Sequence, residues 1–224
     1  MEYVVIFFLE LFILFLLSRS VTRGLSLFFY KLVRREKWAV ALMSFIFLPG
    51  TIIHEVSHYI AALVLGVKAG KMEFKPEIHG NSVKMGSVSI AETDPFRRFL
   101  IGISPVVFGT VTILGLMYFA TTYDIFSNLP MTWGVLNMTF VVGNTMYSSK
   151  RDMEGAFRLF FVLGVAFLCL VLLFAFTGVS IPDIKVDFLR IERIYEIFAI
   201  GWKFLLVPIG VDIVLLGVFK FINR

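Results

Sequence analysis

The sequence is poor in the residues that soluble enzymes use at their surfaces and active sites. Charged residues make up 17% of the 224 positions, and the chain has one cysteine and three histidines. The lone Cys169 excludes an internal disulfide and lies in an apolar run, where a thiol acts as a small hydrophobic side chain. The chain is instead 58% hydrophobic, with a mean hydropathy of +0.89. This composition excludes an ordinary soluble domain and predicts a membrane protein.

The net charge of +5 does not indicate a nucleic-acid-binding protein. Its basic residues fall in short segments between apolar runs, as in loops that face lipid headgroups. The chain starts with Met1-Glu2, has no basic n-region and has no small-residue cleavage site after Leu17. We therefore expect a retained helix rather than a cleaved signal peptide, in a multi-pass protein of the cell membrane with the lipid bilayer as its solvent.

Apolar runs predict an all-α polytopic membrane protein with about six transmembrane helices. Residues 3–18 form a short first helix, interrupted by Glu10, and residues 19–37 form a basic amphipathic segment at the membrane interface. The further predicted spans are residues 38–67, 99–118, 131–147, 157–178 and 197–219. No repeat or low-complexity linker divides the chain, so we expect one membrane domain. Its parts are an N-terminal segment (1–37), a core (38–155) and C-terminal helices (156–224).

One clearly polar stretch, residues 68–98, interrupts this pattern. Residues 71–75 and 82–90 alternate polar and apolar side chains, and Gly80-Asn81 between them is a turn signal. We expect a small membrane-associated β hairpin here. His79 within it is expected to be a surface histidine, because no partner at metal-ligand spacing lies near it.

A His-Glu-x-x-His motif, formed by His54, Glu55 and His58, lies in the run of residues 38–67. At 3.6 residues per turn the two histidines project from one helix face and can hold one Zn²⁺, with Glu55 close enough to act on its water. A buried glutamate between two buried histidines is costly in lipid unless a metal or another group compensates its charge. The motif therefore predicts one zinc ion per chain, rather than two histidines satisfied by neighbouring side chains.

Pro49-Gly50 precedes the motif and predicts a kink or a helix restart there. Irregular backbone at membrane depth is tolerated only beside protein or a water-filled cavity. A hydrolytic site inside the bilayer needs such water.

A catalytic zinc also needs a third protein ligand and an open position for water. The sequence alone leaves this ligand open. Asp212 lies deep in the last predicted span, where a structural role is expected more than a catalytic one. The candidates are Asp152, Glu154, His79, Glu192, Glu196 and Asp212.

The chain at this point resembles the site-2-protease-type intramembrane zinc metalloproteases. In that family the His-Glu-x-x-His helix is followed by a phrase like residues 65–68, Leu-Gly-Val-Lys, then by a membrane-associated hairpin and a Gly-Pro-bearing helix, loosely matched at residues 102–105. An Asn follows, with an Asp eight residues later, and Asn144 and Asp152 keep that separation. The family's Pro and Gly near this pair are replaced here by Tyr147 and Met153. The resemblance covers residues 49–155, about half of the chain.

The resemblance implies that His54, His58 and Asp152 bind zinc, that Glu55 is the general base and that Asn144 assists near the substrate or the oxyanion. It implies peptide-bond cleavage in transmembrane substrates, and it places the hairpin on the cytoplasmic side. A substrate must be extended to be cut, so strand addition to the hairpin is a further hypothesis.

Two other interpretations stay open. One is a membrane-anchored zinc protease that acts on soluble substrates, with Glu192 or Glu196 as the third ligand. The other is a non-catalytic metal-binding membrane protein.

Overall fold

The computed structural model describes residues 2–74, 77–79, 82–84, 86–147, 165 and 188–222. Most of these residues are helical, with a small β insert between the second and third helices. The helices are α1 (Glu2–Val33), α2 (Glu36–Val64), α3 (Pro95–Thr122), α4 (Leu129–Thr145) and α5 (Phe188–Ile222), with a short 3₁₀ turn at Ile125–Ser127.

Among the described residues, four helices are long and apolar enough to cross a membrane: α1, α2, α3 and the Tyr195–Phe221 part of α5. Helix α4 has 17 residues and is at the lower limit for a span. The described residues thus support a polytopic membrane protein, whereas the expected total of about six spans is not confirmed. The span predicted at residues 157–178 lies outside the described residues, apart from the helical Val165.

Helix α1 is longer than the sequence predicted. It continues through the boundary expected at Ser18 and includes most of the segment that we assigned to the membrane interface. The reason is packing, since Val21 is fully buried in a cluster with residues of α2 and α4. Gly24 lies against the ring of Phe219 in α5. Residues 19–33 are therefore part of the bundle. Glu10, which lies earlier in the same helix, is buried as well.

The sequence predicted a kink or a helix restart at Pro49, and helix α2 continues through Pro49 without a restart. The residues on both sides of the proline are held by α4. The ring centroids of Phe47 and Phe140 lie 5.8 Å apart. A Cβ added to Gly50 would collide with the Thr145 hydroxyl and the Val141 carbonyl, so a glycine is needed for this close approach. These contacts offset the hydrogen bond that Pro49 cannot donate.

The β insert has four short strands: β1 (Ala69–Glu73), β2 (Glu77–His79), β3 (Ser82–Lys84) and β4 (Ser87–Ile90). Strands β1 and β4 pair antiparallel, and so do β2 and β3, with His79 opposite Ser82. The strands β2 and β3 therefore lie on either side of the residues where the sequence predicted a turn. This register confirms the predicted hairpin.

Helix contacts give the direction of each helix. Helices α1 and α2 are joined by two residues and run antiparallel. Helix α5 runs parallel to α1, because Phe198 packs on Phe7 near the start of both helices and Phe219 packs on Phe28 near their ends. Helix α4 runs antiparallel to α1, since Tyr147 at its end donates to the Leu11 carbonyl (2.8 Å).

These directions place the end of α2, the β insert and the end of α4 at one end of the bundle. Helix α3 starts at that same end, where Asp94 caps it by accepting from the backbone N–H groups of Phe96 and Arg97. The Arg97 N–H lowers the pKa of the exposed Asp94 carboxyl, and the nearby Arg97 charge adds to the effect. The predicted site residues on α2 thus face the elements that follow them in the chain.

Candidate metal centre

The three motif residues lie on one buried section of α2. His54, Glu55 and His58 are each 5–7% exposed, although all three side chains are polar. The two imidazole centroids are 4.8 Å apart and their planes are nearly perpendicular, at 87°. Adjacent turns of the helix therefore bring the rings together as the motif predicted, in a place that is shielded from lipid by the rest of the bundle.

A backbone carbonyl of α3 fixes the ring of His58. Its Nδ1 lies 2.8 Å from the Ile101 carbonyl oxygen, so Nδ1 carries the hydrogen and donates it. In a neutral imidazole with that tautomer, Nε2 is the nitrogen that keeps a lone pair. Metal-binding histidines in proteins are held in this way by a carbonyl or carboxylate on the other ring nitrogen.

The β insert lies directly over Glu55. A Cβ added to Gly86, the residue before β4, would be 3.0 Å from the Glu55 Cγ, 3.1 Å from its Oε1 and 2.9 Å from the Thr51 Cγ2. Such distances are at the limit for a Cβ, so a larger residue at this position would force Glu55, Thr51 or the strand to shift. The insert is therefore adjacent to the site, and the chain enters β4 immediately beside the carboxylate.

Helix α4 runs parallel to α2 and leads towards the same end of the bundle. Val141 and Thr145 contact α2 at Gly50, one helical turn before His54. Asp152, the predicted third ligand, lies outside the described residues, as do Glu154 and the side chain of Glu192. Asp152 follows Tyr147 by five residues, a separation that an extended chain can stretch to about 17 Å.

The described residues bring no third metal-binding side chain to the two histidines and Glu55. No group of three His, Cys, Asp or Glu residues that could hold a metal is assembled within them. Glu196 is exposed on α5. Asp212 is fully buried but is hydrogen-bonded to Asn144. His79 lies on β2.

Asn144 uses both of its amide hydrogens within the bundle. Its Nδ2 donates to the Phe140 carbonyl at 3.0 Å and to the Asp212 Oδ1 at 2.8 Å. A developing oxyanion would have to displace one of these acceptors. The predicted role of Asn144 near the substrate stays a prediction, whereas its contact with Asp212 gives it a definite role in joining α4 to α5.

We predict that breaking this buried pair destabilises the protein more than removing both partners does. Asn144→Leu leaves the Asp212 carboxyl buried without its amide donor, so we expect a loss of about 1–3 kcal/mol of stability. The double variant Asn144→Leu/Asp212→Leu should recover part of that loss, because no buried polar group is orphaned. Thermal unfolding in detergent measures the cycle.

Thr139→Val is a matched control, since the buried Thr139 hydroxyl donates only to Val135 of its own helix in the described structure. If the stability loss of the double variant equalled the sum of the losses of Asn144→Leu and Asp212→Leu, the two side chains would not be coupled.

The donor set on α2 suits zinc. Two imidazoles on adjacent turns, one of them oriented by a carbonyl, are ligands that Zn²⁺ prefers, and an acid follows the first of them directly in the chain. Comparison of the chain with protein-family models, with curated proteins and with solved structures finds no match.

Sequence reasoning missed two parts of this site. The Ile101 carbonyl had a signal, because Pro105 follows it at the position whose N–H would normally occupy that carbonyl in a helix. Gly86 had none, since nothing in the sequence places it over Glu55.

Proposed function

We propose that this protein is a zinc-dependent intramembrane endopeptidase that cleaves transmembrane protein substrates. The observation that carries the proposal is the buried His54–Glu55–His58 arrangement, with His58 held by a backbone carbonyl and Glu55 covered by a strand-forming segment. A structural role for the two histidines would need neither the adjacent acid nor the strand beside it.

His54, His58 and Asp152 are the residues that would hold the metal. When bound, zinc supplies a Lewis acid and lowers the pKa of a water molecule towards about 7. Asp152 is proposed because of its separation from Asn144 and because α4, which precedes it, runs alongside α2 towards the motif. The protein is then multi-pass in the cell membrane, with one zinc ion per chain.

Glu55 is the proposed general base and acid. Its carboxylate takes a proton from the attacking water and returns it to the amine that leaves. Its burial in a low-dielectric site strengthens the effect of each charge that develops there. His58, which is held by α3, keeps its position while the peptide bond is attacked.

Strand β4 is the proposed docking edge for the substrate. It pairs with β1 along one edge, and among the described strands none covers its other edge. A transmembrane helix hides its own carbonyls, so it must unwind before cleavage. An extended segment added to β4 would be held by main-chain hydrogen bonds close to Glu55.

Zinc analysis of purified variants tests the ligand set. We expect about one zinc per chain in the wild type, and loss of zinc in His58→Ala and in Asp152→Ala, because three protein ligands are needed for tight binding. Glu154→Ala and Glu192→Ala should keep the metal.

The other outcomes of this experiment argue against the proposed ligand set or against zinc binding. Metal loss in Glu192→Ala but not in Asp152→Ala would indicate the membrane-anchored protease with a C-terminal glutamate ligand. A wild type without zinc, after purification in zinc-containing buffer, would overturn the proposal.

A further inference from the structure

We infer that Pro105 is a positioning residue for the metal centre, because it frees the Ile101 carbonyl to orient the His58 ring. This inference rests on the proposed function for its purpose, although its structural part does not need zinc. It assigns a role to a residue that touches neither metal nor substrate.

Pro105 interrupts the hydrogen-bond pattern of α3. In a helix, the carbonyl of Ile101 would accept from the N–H of residue 105. That residue is Pro105, which has no N–H and lies in the interior of α3. The Ile101 carbonyl is thus released from its usual helical partner, and Ile101 is buried, so the carbonyl needs another donor.

Two side chains donate hydrogen bonds to this carbonyl in place of the missing N–H. The Ser104 hydroxyl donates to it at 2.7 Å and His58 Nδ1 donates to it at 2.8 Å. A carbonyl oxygen has two lone pairs, so these two donors saturate it. A backbone N–H at position 105 would be a third donor for two lone pairs.

The residues around the Ile101 carbonyl are buried. Ile101 is 1% exposed, Ser104 and His58 are each 5% exposed, and Pro105 is among the fully buried side chains. Buried donors that lose their acceptor have a large free-energy penalty. A third donor therefore does not simply coexist with the other two. It displaces one of them, and the neutral imidazole can respond by moving its hydrogen to Nε2.

The consequence falls on the nitrogen that would bind the metal. While Nδ1 carries the hydrogen, Nε2 presents its lone pair, and the ring cannot rotate away without losing the 2.8 Å contact. If the hydrogen moves to Nε2, that nitrogen can no longer bind a metal without first losing it. Groups that orient metal-binding histidines in this way typically change metal affinity about 10–100-fold.

Two other prolines lie inside described helices, Pro49 in α2 and Pro208 in α5. Pro208 is a matched control, because it is also fully buried and packs beside Gly143 of α4, away from the His58–Ile101 contact. Ser104→Ala is the second control. It removes the competing hydroxyl and leaves the carbonyl available to His58.

The test uses the full chain in detergent and has two readouts. The first is the histidine tautomer in the metal-free protein, read from ¹⁵N-histidine NMR. The chain has three histidines, so His58 can be assigned with a His58→Ala variant. The second is zinc affinity, measured by competition with a chelator.

In the wild type and in Ser104→Ala we expect His58 to carry its hydrogen on Nδ1. In Pro105→Ala, and in Pro105→Val, which is closer to proline in volume, we expect a shift towards the Nε2–H tautomer and zinc affinity lower by about 10–100-fold. Pro208→Ala should leave the tautomer of His58 unchanged and the zinc affinity within about threefold of the wild type, as expected for a residue outside the orienting contact.

An unchanged tautomer in both folded Pro105 variants would overturn the inference. So would an equal loss of zinc affinity in Pro208→Ala, because a general packing defect would then explain the result. If the wild type binds no zinc at all, the proposed function fails, and the NMR readout still decides the role of Pro105.

Discussion

Replacing Glu55 by glutamine should reduce peptide cleavage by about 10²–10⁴-fold while zinc stays bound, since this is the range over which a positioned general acid or base contributes. Glutamine has nearly the same size and can occupy the same buried place on α2, where Glu55 is 7% exposed. It cannot take a proton from water. The two imidazoles one turn apart are untouched, so metal content should not change.

The measurement is cleavage of a panel of labelled single-span peptides that are reconstituted with the protein in lipid vesicles, together with metal analysis of the same samples. His58→Ala is the companion variant, and it should lose both zinc and cleavage. A Glu55→Gln protein that retains full activity would remove the general-base role. A wild type that binds zinc but cleaves none of the peptides would favour the non-catalytic metal-binding alternative.

Replacing Gly86 by valine should reduce cleavage by about 10²-fold or more, because misplacement of a reacting group by about 1 Å has an effect of that size. The Cβ alone would lie 3.0 Å from the Glu55 Cγ and 2.9 Å from the Thr51 Cγ2, and the two methyl groups of valine need still more room. Either the carboxylate or the strand must move. Zinc should stay bound, since the closest clashes involve Glu55 and Thr51 rather than the imidazoles.

Gly115→Val is the control for this substitution, because an added Cβ at Gly115 in α3 meets nothing within 4 Å. It should leave cleavage and zinc content nearly unchanged. Full activity in Gly86→Val would show that the insert can move away from Glu55 at no cost, and the proposed docking of substrate on β4 beside that residue would be wrong. Gly86→Ala, with one methyl group, is expected to fall between the wild type and valine.

The sequence predicted the elements that depend on local patterns. Apolar runs predicted most of the described helices, and the alternation on either side of Gly80-Asn81 predicted the antiparallel strand pairing. The spacing of His54 and His58 predicted two adjacent rings, because helical periodicity alone determines that geometry. These features need no knowledge of which helix packs against which.

Features that depend on packing between distant segments could not be predicted. Residues 19–33 have the basic, amphipathic composition of an interfacial segment, yet Val21 is buried in the bundle. Pro49 predicted a kink or a helix restart, and contacts of Phe47 and Gly50 with α4 accompany a helix that does not restart. The Asn144 amide donates to the Phe140 carbonyl and to the Asp212 carboxyl, and Asp212 is 68 residues away in the chain, so no local pattern could predict that contact.

The parallel course of α1 and α5 determines which end of the bundle carries the amino terminus. Tyr3 packs on Tyr195, and each residue lies near the start of its helix. Both helices therefore start at the same end of the bundle, and that end also carries the β insert and the end of α4. Under the proposed function, a fragment released beside Glu55 would leave on the side that contains the amino terminus, so a reporter fused there would share an environment with that fragment.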